Sequence, residues 1–127
     1  MARVMKLTIP VPRGMLFLYD HTGSEIEIPT YVEGETVAST KTAISIATIS
    51  DVDGDATIFL SETKDETLKP PVEIFSGQLF LECGILHVCV MGDESIAQFP
   101  LNEGFVGVTI YGDKDIFPKS ISIVIEH

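Results

Sequence analysis

Apolar and polar residues alternate through most of the chain, which is the pattern of half-buried β-strands. Near the end, Ile121, Ile123 and Ile125 lie on one side of a predicted strand and the residues between them lie on the other. Gly, Pro, Asp and Asn interrupt the alternation at short intervals, and helical spacing is nearly absent. We therefore predict an all-β fold, namely a single-domain antiparallel β-sandwich of roughly eight to ten strands.

Residues 1–127 are predicted to form one domain, because no linker, internal repeat or low-complexity segment divides the chain. The length is close to the commonest size of a single domain. Pro10 and Pro12 follow the alternating residues 4–9, and proline removes a donor from a strand ladder. We therefore expect residues 1–12 to form a loosely attached N-terminal strand.

A strong turn signal lies at Asp51-Val52-Asp53-Gly54-Asp55, between the alternating segments 42–49 and 57–60. Asp-Gly supplies the positive φ that a tight turn between two strands requires. The sequence therefore predicts a β-hairpin across this turn.

The same turn also has the carboxylate spacing of a calcium loop. The first, third, fifth and twelfth ligand positions of an EF-hand loop fall on Asp51, Asp53, Asp55 and Glu62. Ala56 stands where that loop needs glycine, and the flanking residues alternate as strands rather than helices. Calcium bound by these four carboxylates is thus an alternative to a plain turn, and no other cofactor is predicted.

The histidine and cysteine residues indicate no catalytic site. His87 and Cys89 are predicted to face away from the core, because Leu86 and Val88 on the same strand face it. No glycine-flanked serine, orienting third group or phosphate-binding loop accompanies them, so we expect a protein that is not an enzyme. The chain has two cysteines, Cys83 and Cys89. No segment has the apolar length of a signal peptide or a membrane span. These features favour reduced thiols and the cytoplasm.

The charge of the chain restricts its partners. It carries 19 acidic and 8 basic residues, a formal net charge of −11. Nucleic acids and anionic membranes would be repelled, so a macromolecular partner should be a basic protein. Much of the acid falls in the predicted turns and loops from Glu33 to Glu66, which predicts a negative field concentrated at one end of the sandwich. The alternative is that these loops lie at opposite ends and the charge serves solubility. Beyond the four candidate calcium ligands, the residues proposed to contact the partner are Glu33, Glu35, Asp65 and Glu66.

Three runs in the C-terminal half form a distinctive pattern. They are residues 70–79 (PPVEIFSGQL), 84–88 (GILHV) and 99–111 (FPLNEGFVGVTIY), and they contain a strand, a glycine-marked turn, a hydrophobic-Pro-Leu-x-x-Gly turn and a strand ending near Tyr111. This pattern resembles the bacterial competence protein J group, which includes inhibitors of a nuclease of DNA uptake. Phe105 stands where that group usually has tyrosine. The resemblance implies a non-enzymatic inhibitor of a basic protein such as a nuclease.

Two other functions are compatible with the sequence. The first is self-association as a homo-oligomer through a strand edge, since residues 121–125 form a β-branched terminal strand with few charges that would need covering. The second is a ligand-binding or calcium-binding domain that uses the Asp51–Asp55 loop.

Overall fold

Strands make up most of the regular structure in the computed structural model, which describes residues 4–20, 26–30, 34–62, 72–90 and 94–126. Within these residues the strands are β1 (Val4–Ile9), β2 (Met15–Tyr19), β3 (Val37–Ser39), β4 (Ala43–Ala47), β5 (Ala56–Ser61), β6 (Val72–Leu81), β7 (Ile85–Val90), β8 (Glu94–Pro100), β9 (Gly104–Gly112) and β10 (Ser120–Glu126). Two single 3-10 turns, Pro12–Gly14 and Asp51–Asp53, are also present. The predicted all-β fold is confirmed.

The strands form two five-stranded sheets. Sheet A has the order β1-β5-β10-β9-β6, and sheet B has the order β3-β4-β2-β7-β8. Strands β5 and β10 pair in parallel, whereas the other pairs are antiparallel. The inner faces of both sheets contribute to one apolar core, with Leu18 and Ile46 from sheet B and Ile58 and Ile110 from sheet A all buried. This is the sandwich that the alternation predicted.

Strand β10 lies at the centre of sheet A rather than at an edge. It pairs with β5 on one side and β9 on the other, and its apolar residues Ile121, Ile123 and Ile125 are fully buried. Ser122 and Val124, on its opposite face, are buried as well. The expectation that this strand needs a second copy of the chain to cover it is therefore wrong, because the chain itself supplies both neighbours.

The predicted hairpin across residues 51–55 is also wrong. Strand β4 belongs to sheet B and β5 to sheet A, so the connection between them crosses from one sheet to the other. Gly54 does have the predicted positive φ, at 128°. Turn chemistry thus showed correctly where the chain reverses, but it does not specify whether the next strand pairs with the previous one.

A second apolar cluster covers part of the outer face of sheet B. It contains Tyr19, Ala43 and Cys89, with Phe17 and Ile26 packed against it. His87 pairs with Tyr19 in the sheet, faces the same side as Cys89 and is buried. The predicted orientation of His87 and Cys89 is therefore right, but this side of the sheet is not solvated.

The N-terminal strand is integrated into sheet A. Residues 4–9 pair with β5 at six positions, and Val11 just beyond them is fully buried in the core. The structure thus pairs residues 4–9 of this segment along their whole length. Among the residues that the structure describes, no helix has the length and apolar character needed to cross a membrane.

Candidate functional site

Three connections meet at one end of the sandwich, which we call the Phe117 end. They are residues 10–14, 48–55 and 113–119. Backbone hydrogen bonds join them: the N–H of Asp51 donates to the carbonyl of Val11 at 3.2 Å, and the N–H of Ile49 donates to the carbonyl of Pro118 at 3.1 Å. Because each connection is bonded to another, the end is a braced surface rather than three independent loops.

The connection that contains Phe117 is also closed on itself. Asp113 Oδ1 accepts the backbone N–H groups of Lys119 at 2.9 Å and Ser120 at 3.3 Å, and its own N–H donates to the carbonyl of Ser120 at 3.0 Å. The hydroxyl of Thr36 donates to the carbonyl of Asp115, which ties this connection to the residues before β3. The aspartate side chain thus replaces backbone bonds that a short hairpin would have made.

Three large apolar side chains are exposed at this end. Val52 is 86% exposed, Ile116 49% and Phe117 50%. Single exposed apolar residues are ordinary, but a group on one braced surface is typical of an interaction site.

A shallow groove lies beside Phe117. Its volume is about 360 Å3, and its lining consists of Arg13, Gly14, Met15, Ala47 and Phe117. Arg13 and Phe117 are also the two residues other than glycine that have positive φ among the described residues, at 55° and 49°. Such backbone conformations cost on the order of 1–3 kcal/mol and persist only where the surroundings impose them. The geometry holds both side chains at the groove.

Glycine is required at position 14 of this groove. Its φ is 68°, and a Cβ there would lie 2.6 Å from the carbonyl oxygen of Thr48. Gly14 and Thr48 are also hydrogen-bonded, because the carbonyl of Gly14 accepts the N–H of Thr48 at 2.7 Å. The backbones of the connections 10–14 and 48–55 therefore lie in direct contact at this point.

Carboxylates surround the apolar side chains. Among the described residues, the acidic ones at the Phe117 end are Glu35, Asp51, Asp53, Asp55, Glu73, Glu94, Asp113 and Asp115, and the basic ones are Arg13, Lys114 and Lys119. The structure therefore brings four of the predicted acidic residues together at this end: Glu35, Asp51, Asp53 and Asp55. Glu33, Asp65 and Glu66 lie outside the described residues.

The opposite end, which we call the Phe105 end, is acidic as well. Glu62 follows β5 there, and Glu82, Glu103 and Glu126 lie at the ends of neighbouring strands. Lys41 lies over the rings of Phe80 and Phe105, with Nζ 5.1 Å and 5.7 Å from their centroids. The expectation that the negative charge is concentrated at one end is thus wrong for the described residues. The Phe105 end is braced as well, since the N–H of Phe80 donates to the carbonyl of Lys41 at 2.9 Å. The Phe117 end differs in that it holds Arg13 and Phe117, which have positive φ and line one groove.

The four candidate calcium ligands do not meet. Asp51, Asp53 and Asp55 precede β5, whereas Glu62 follows it, so a six-residue strand separates the last ligand from the first three. Within the described residues, no three His, Cys, Asp or Glu side chains are grouped so as to hold a metal ion. Ser50 caps the 3-10 turn by accepting the N–H of Val52. One calcium ion bound by all four carboxylates is therefore not compatible with the fold, whereas calcium binding by the Asp51–Asp55 loop stays a sequence prediction.

Sequence reasoning missed Ile116 and Phe117. A signal was present, because these adjacent apolar residues stand between Asp113-Lys114-Asp115 and Pro118-Lys119. An apolar pair inside a charged loop is placed where it will be exposed, which is itself an indication of contact with another molecule.

The fold and surface together define an acidic β-sandwich with an exposed apolar cluster on one end. No protein-family model and no curated protein sequence matches the chain. Among solved structures, the chain is similar to ComJ from Bacillus subtilis, described as an inhibitor of the DNA degrading activity of NucA. The TM-score is 0.70 at 13% sequence identity, and the match covers 99% of this chain and 98% of that chain.

A second similar structure is described as crocagin biosynthetic gene J. Its TM-score is 0.57 at 10% identity, and the match covers 98% of this chain and 97% of the other. The resemblance to the competence protein J group, seen in the C-terminal runs, therefore extends over the whole chain at the level of the fold.

Proposed function

We propose that this protein is a non-enzymatic inhibitor that acts in the cytoplasm by binding a basic protein, specifically a nuclease. The observation that carries the proposal is the similarity to ComJ along 99% of the chain, since ComJ inhibits the DNA degrading activity of NucA. At 13% identity the similarity concerns the fold, so the chemistry of the partner is argued from charge.

The net charge of −11 supports a nuclease as the partner. A nuclease binds DNA through a positively charged surface, because phosphate contacts supply most of the affinity for nucleic acid. An acidic protein competes for that surface and is steered to it by the same field. Salt weakens this attraction, as the Debye length falls from about 10 Å at 0.1 M to about 3 Å at 1 M.

The proposal is tested by DNA degradation. Extracts and secreted fractions of the native host are incubated with linear plasmid DNA, with and without the purified protein, at 50 mM and 500 mM salt. We expect slower degradation in at least one fraction, with a smaller effect at the higher salt. If the protein leaves degradation unchanged in every fraction at both salt concentrations, the nuclease-inhibitor proposal is wrong.

A matched pair of variants separates the two acidic ends. One variant carries Asp51→Asn, Asp53→Asn and Asp55→Asn, and the other carries Glu82→Gln, Glu103→Gln and Glu126→Gln. Each changes the net charge by the same amount, so a difference between them reports location rather than total charge. Exposed ion pairs contribute about 0.2–1 kcal/mol each, so we expect the aspartate variant to inhibit about tenfold less well and the glutamate variant to change by about twofold or less.

A further inference from the structure

The apolar side chains of Val52, Ile116 and Phe117 at the Phe117 end are about half exposed or more. Of the described residues, the large apolar ones with high exposure are Val4, Ile28, Val52, Phe105, Ile116 and Phe117, and three of these six share this end. Val4 and Phe105 lie at the opposite end, on the first and fourth strands of sheet A, and Ile28 lies before β3. Exposing half of an aromatic ring to water is unfavourable for the isolated protein, which indicates that a binding partner covers the ring.

The backbone presents Phe117 rather than allowing it to turn inward. Its φ of 49° is a conformation that bulky residues rarely adopt. The next residue, Pro118, is buried, and its carbonyl accepts the N–H of Ile49 at 3.1 Å. Together with the Asp113 bonds, this bracing orders the surface before any partner arrives. A preordered aromatic residue loses little conformational entropy on binding, which is a property of interface anchors.

The groove beside Phe117 limits what can be bound. Its volume of about 360 Å3 is near the lower bound of about 300 Å3 for ligand pockets, and it is open rather than enclosed. It therefore has room for one or two side chains from another protein. Its lining is mostly apolar, and Arg13 is the one charged residue among the described residues that contribute to it.

The surrounding charge identifies the occupant as a basic protein. The acidic residues at this end outnumber the basic ones, and those closest in sequence to the apolar side chains are Asp51 and Asp53 around Val52 and Asp115 before Ile116. A second copy of the chain would bring two acidic ends together, and an anionic membrane would be repelled. A basic surface is attracted, and it fits an apolar centre with a charged rim.

We propose that the Phe117 end is the surface that docks a loop of a basic protein, with Phe117 as the central anchor and the groove receiving a side chain of that loop. The inference rests on the proposed function insofar as the basic partner is a nuclease. It goes further by assigning binding to one end of the sandwich, even though both ends are acidic.

Phe105 provides a matched control for Phe117. It is the same residue type with similar exposure, 53% against 50%, and it lies at the opposite end. Central aromatic anchors are typical hot spots, so we expect Phe117→Ala to weaken binding at least about 30-fold and Phe105→Ala by about twofold or less. Phe117→Gly removes the same ring and relieves the positive φ, so it separates loss of contact from loss of folding. Val52→Arg, at a position that is 86% exposed, should repel a basic partner without altering the melting temperature.

The partner is obtained by photo-crosslinking. The photoreactive amino acid p-benzoylphenylalanine is placed at position 117 or at position 105 of the full chain in the native host. We expect a protein of basic isoelectric point to crosslink at position 117 and not at position 105. That protein is then purified and its binding to the wild type and the four variants is measured by titration calorimetry with melting temperatures as the folding check.

Each outcome decides the assignment. Crosslinking at 117 followed by the expected loss of binding in the Phe117 and Val52 variants supports it. A crosslink to a second copy, a crosslink only at 105, no crosslink at 117, or equal losses for Phe117→Ala and Phe105→Ala overturns it. If the wild type inhibits a nuclease but position 117 does not crosslink, the docking surface is wrong and the proposed function stands. If position 117 crosslinks a basic protein without nuclease activity, the surface stands and the nuclease proposal fails.

Discussion

Replacing Asp20 by alanine tests a buried interaction that links the two sheets. Asp20 directly follows β2 of sheet B and is 0% exposed. Its Oδ2 accepts the backbone N–H of Cys83 at 2.6 Å and that of Ile85 at 3.3 Å. These two groups flank Gly84, which has a φ of 78° in the turn between β6 of sheet A and β7 of sheet B. The carboxylate therefore fixes the turn that carries the chain from one sheet to the other.

The size of the effect follows from these two bonds. Hydrogen bonds to a charged group contribute about 1.5–3 kcal/mol each. Two bonds give an upper value of roughly 6 kcal/mol, which is reduced because alanine no longer requires a buried charge and because water reaches the exposed Cys83. We expect Asp20→Ala to lower the free energy of unfolding by about 3 kcal/mol, equivalent to a fall of roughly 10 °C in melting temperature for a domain of this size.

Urea unfolding followed by circular dichroism measures this difference. Asp55→Ala is the control, because Asp55 is an exposed aspartate at the opposite end, and surface substitutions usually change stability by about 0.5 kcal/mol or less. A loss below about 1 kcal/mol for Asp20→Ala, or an equal loss for the two variants, would refute the conclusion that this carboxylate holds the turn.

Three further changes test the same physical reasoning. Asp113→Ala removes an acceptor of two backbone N–H groups in an exposed loop, so we expect a loss of about 1 kcal/mol, and faster hydrogen exchange of those amides measures it. Gly14→Ala meets a carbonyl oxygen at 2.6 Å while Gly34→Ala meets nothing within 4 Å, so thermal melts should show a much larger loss at position 14. Ile123→Ala removes a fully buried side chain from the central strand of sheet A, so the free energy of unfolding measured in urea should fall by about 2–5 kcal/mol. An effect near zero would contradict the central position of Ile123.

The strands could be predicted because each one has a local pattern of alternating residues in the sequence. The alternation of Ile121, Ile123 and Ile125 with the shorter Ser122 and Val124 follows directly from side chains that point to opposite faces of a strand. The positive φ of Gly54 and Gly84 was predictable for the same reason, since turn geometry depends on a few adjacent residues. The resemblance in residues 70–111 also arose from the rhythm of successive strands and turns, and the fold comparison extends it to the whole chain.

Pairing between strands could not be obtained in this way. Nothing local distinguishes a turn that ends in a hairpin from one that crosses between sheets, and residues 51–55 belong to the second kind. The central position of β10 depends on β5, which lies about 60 positions earlier in the chain, and on β9. The burial of Asp20 likewise depends on the turn at 83–85, which lies more than 60 positions later in the chain.

By itself, the sequence determined that this is an acidic all-β protein, because alternation and net charge depend only on the order and type of residues. The tertiary structure decided which acidic residues share a surface: Glu35 and Asp51 lie with Asp115 at one end, and Glu62 lies at the other. It also decided that Phe117 is presented at a groove. The physical reason is that strand order and the bracing between connections arise from contacts between residues far apart in the chain, and such contacts leave no periodic trace in the sequence.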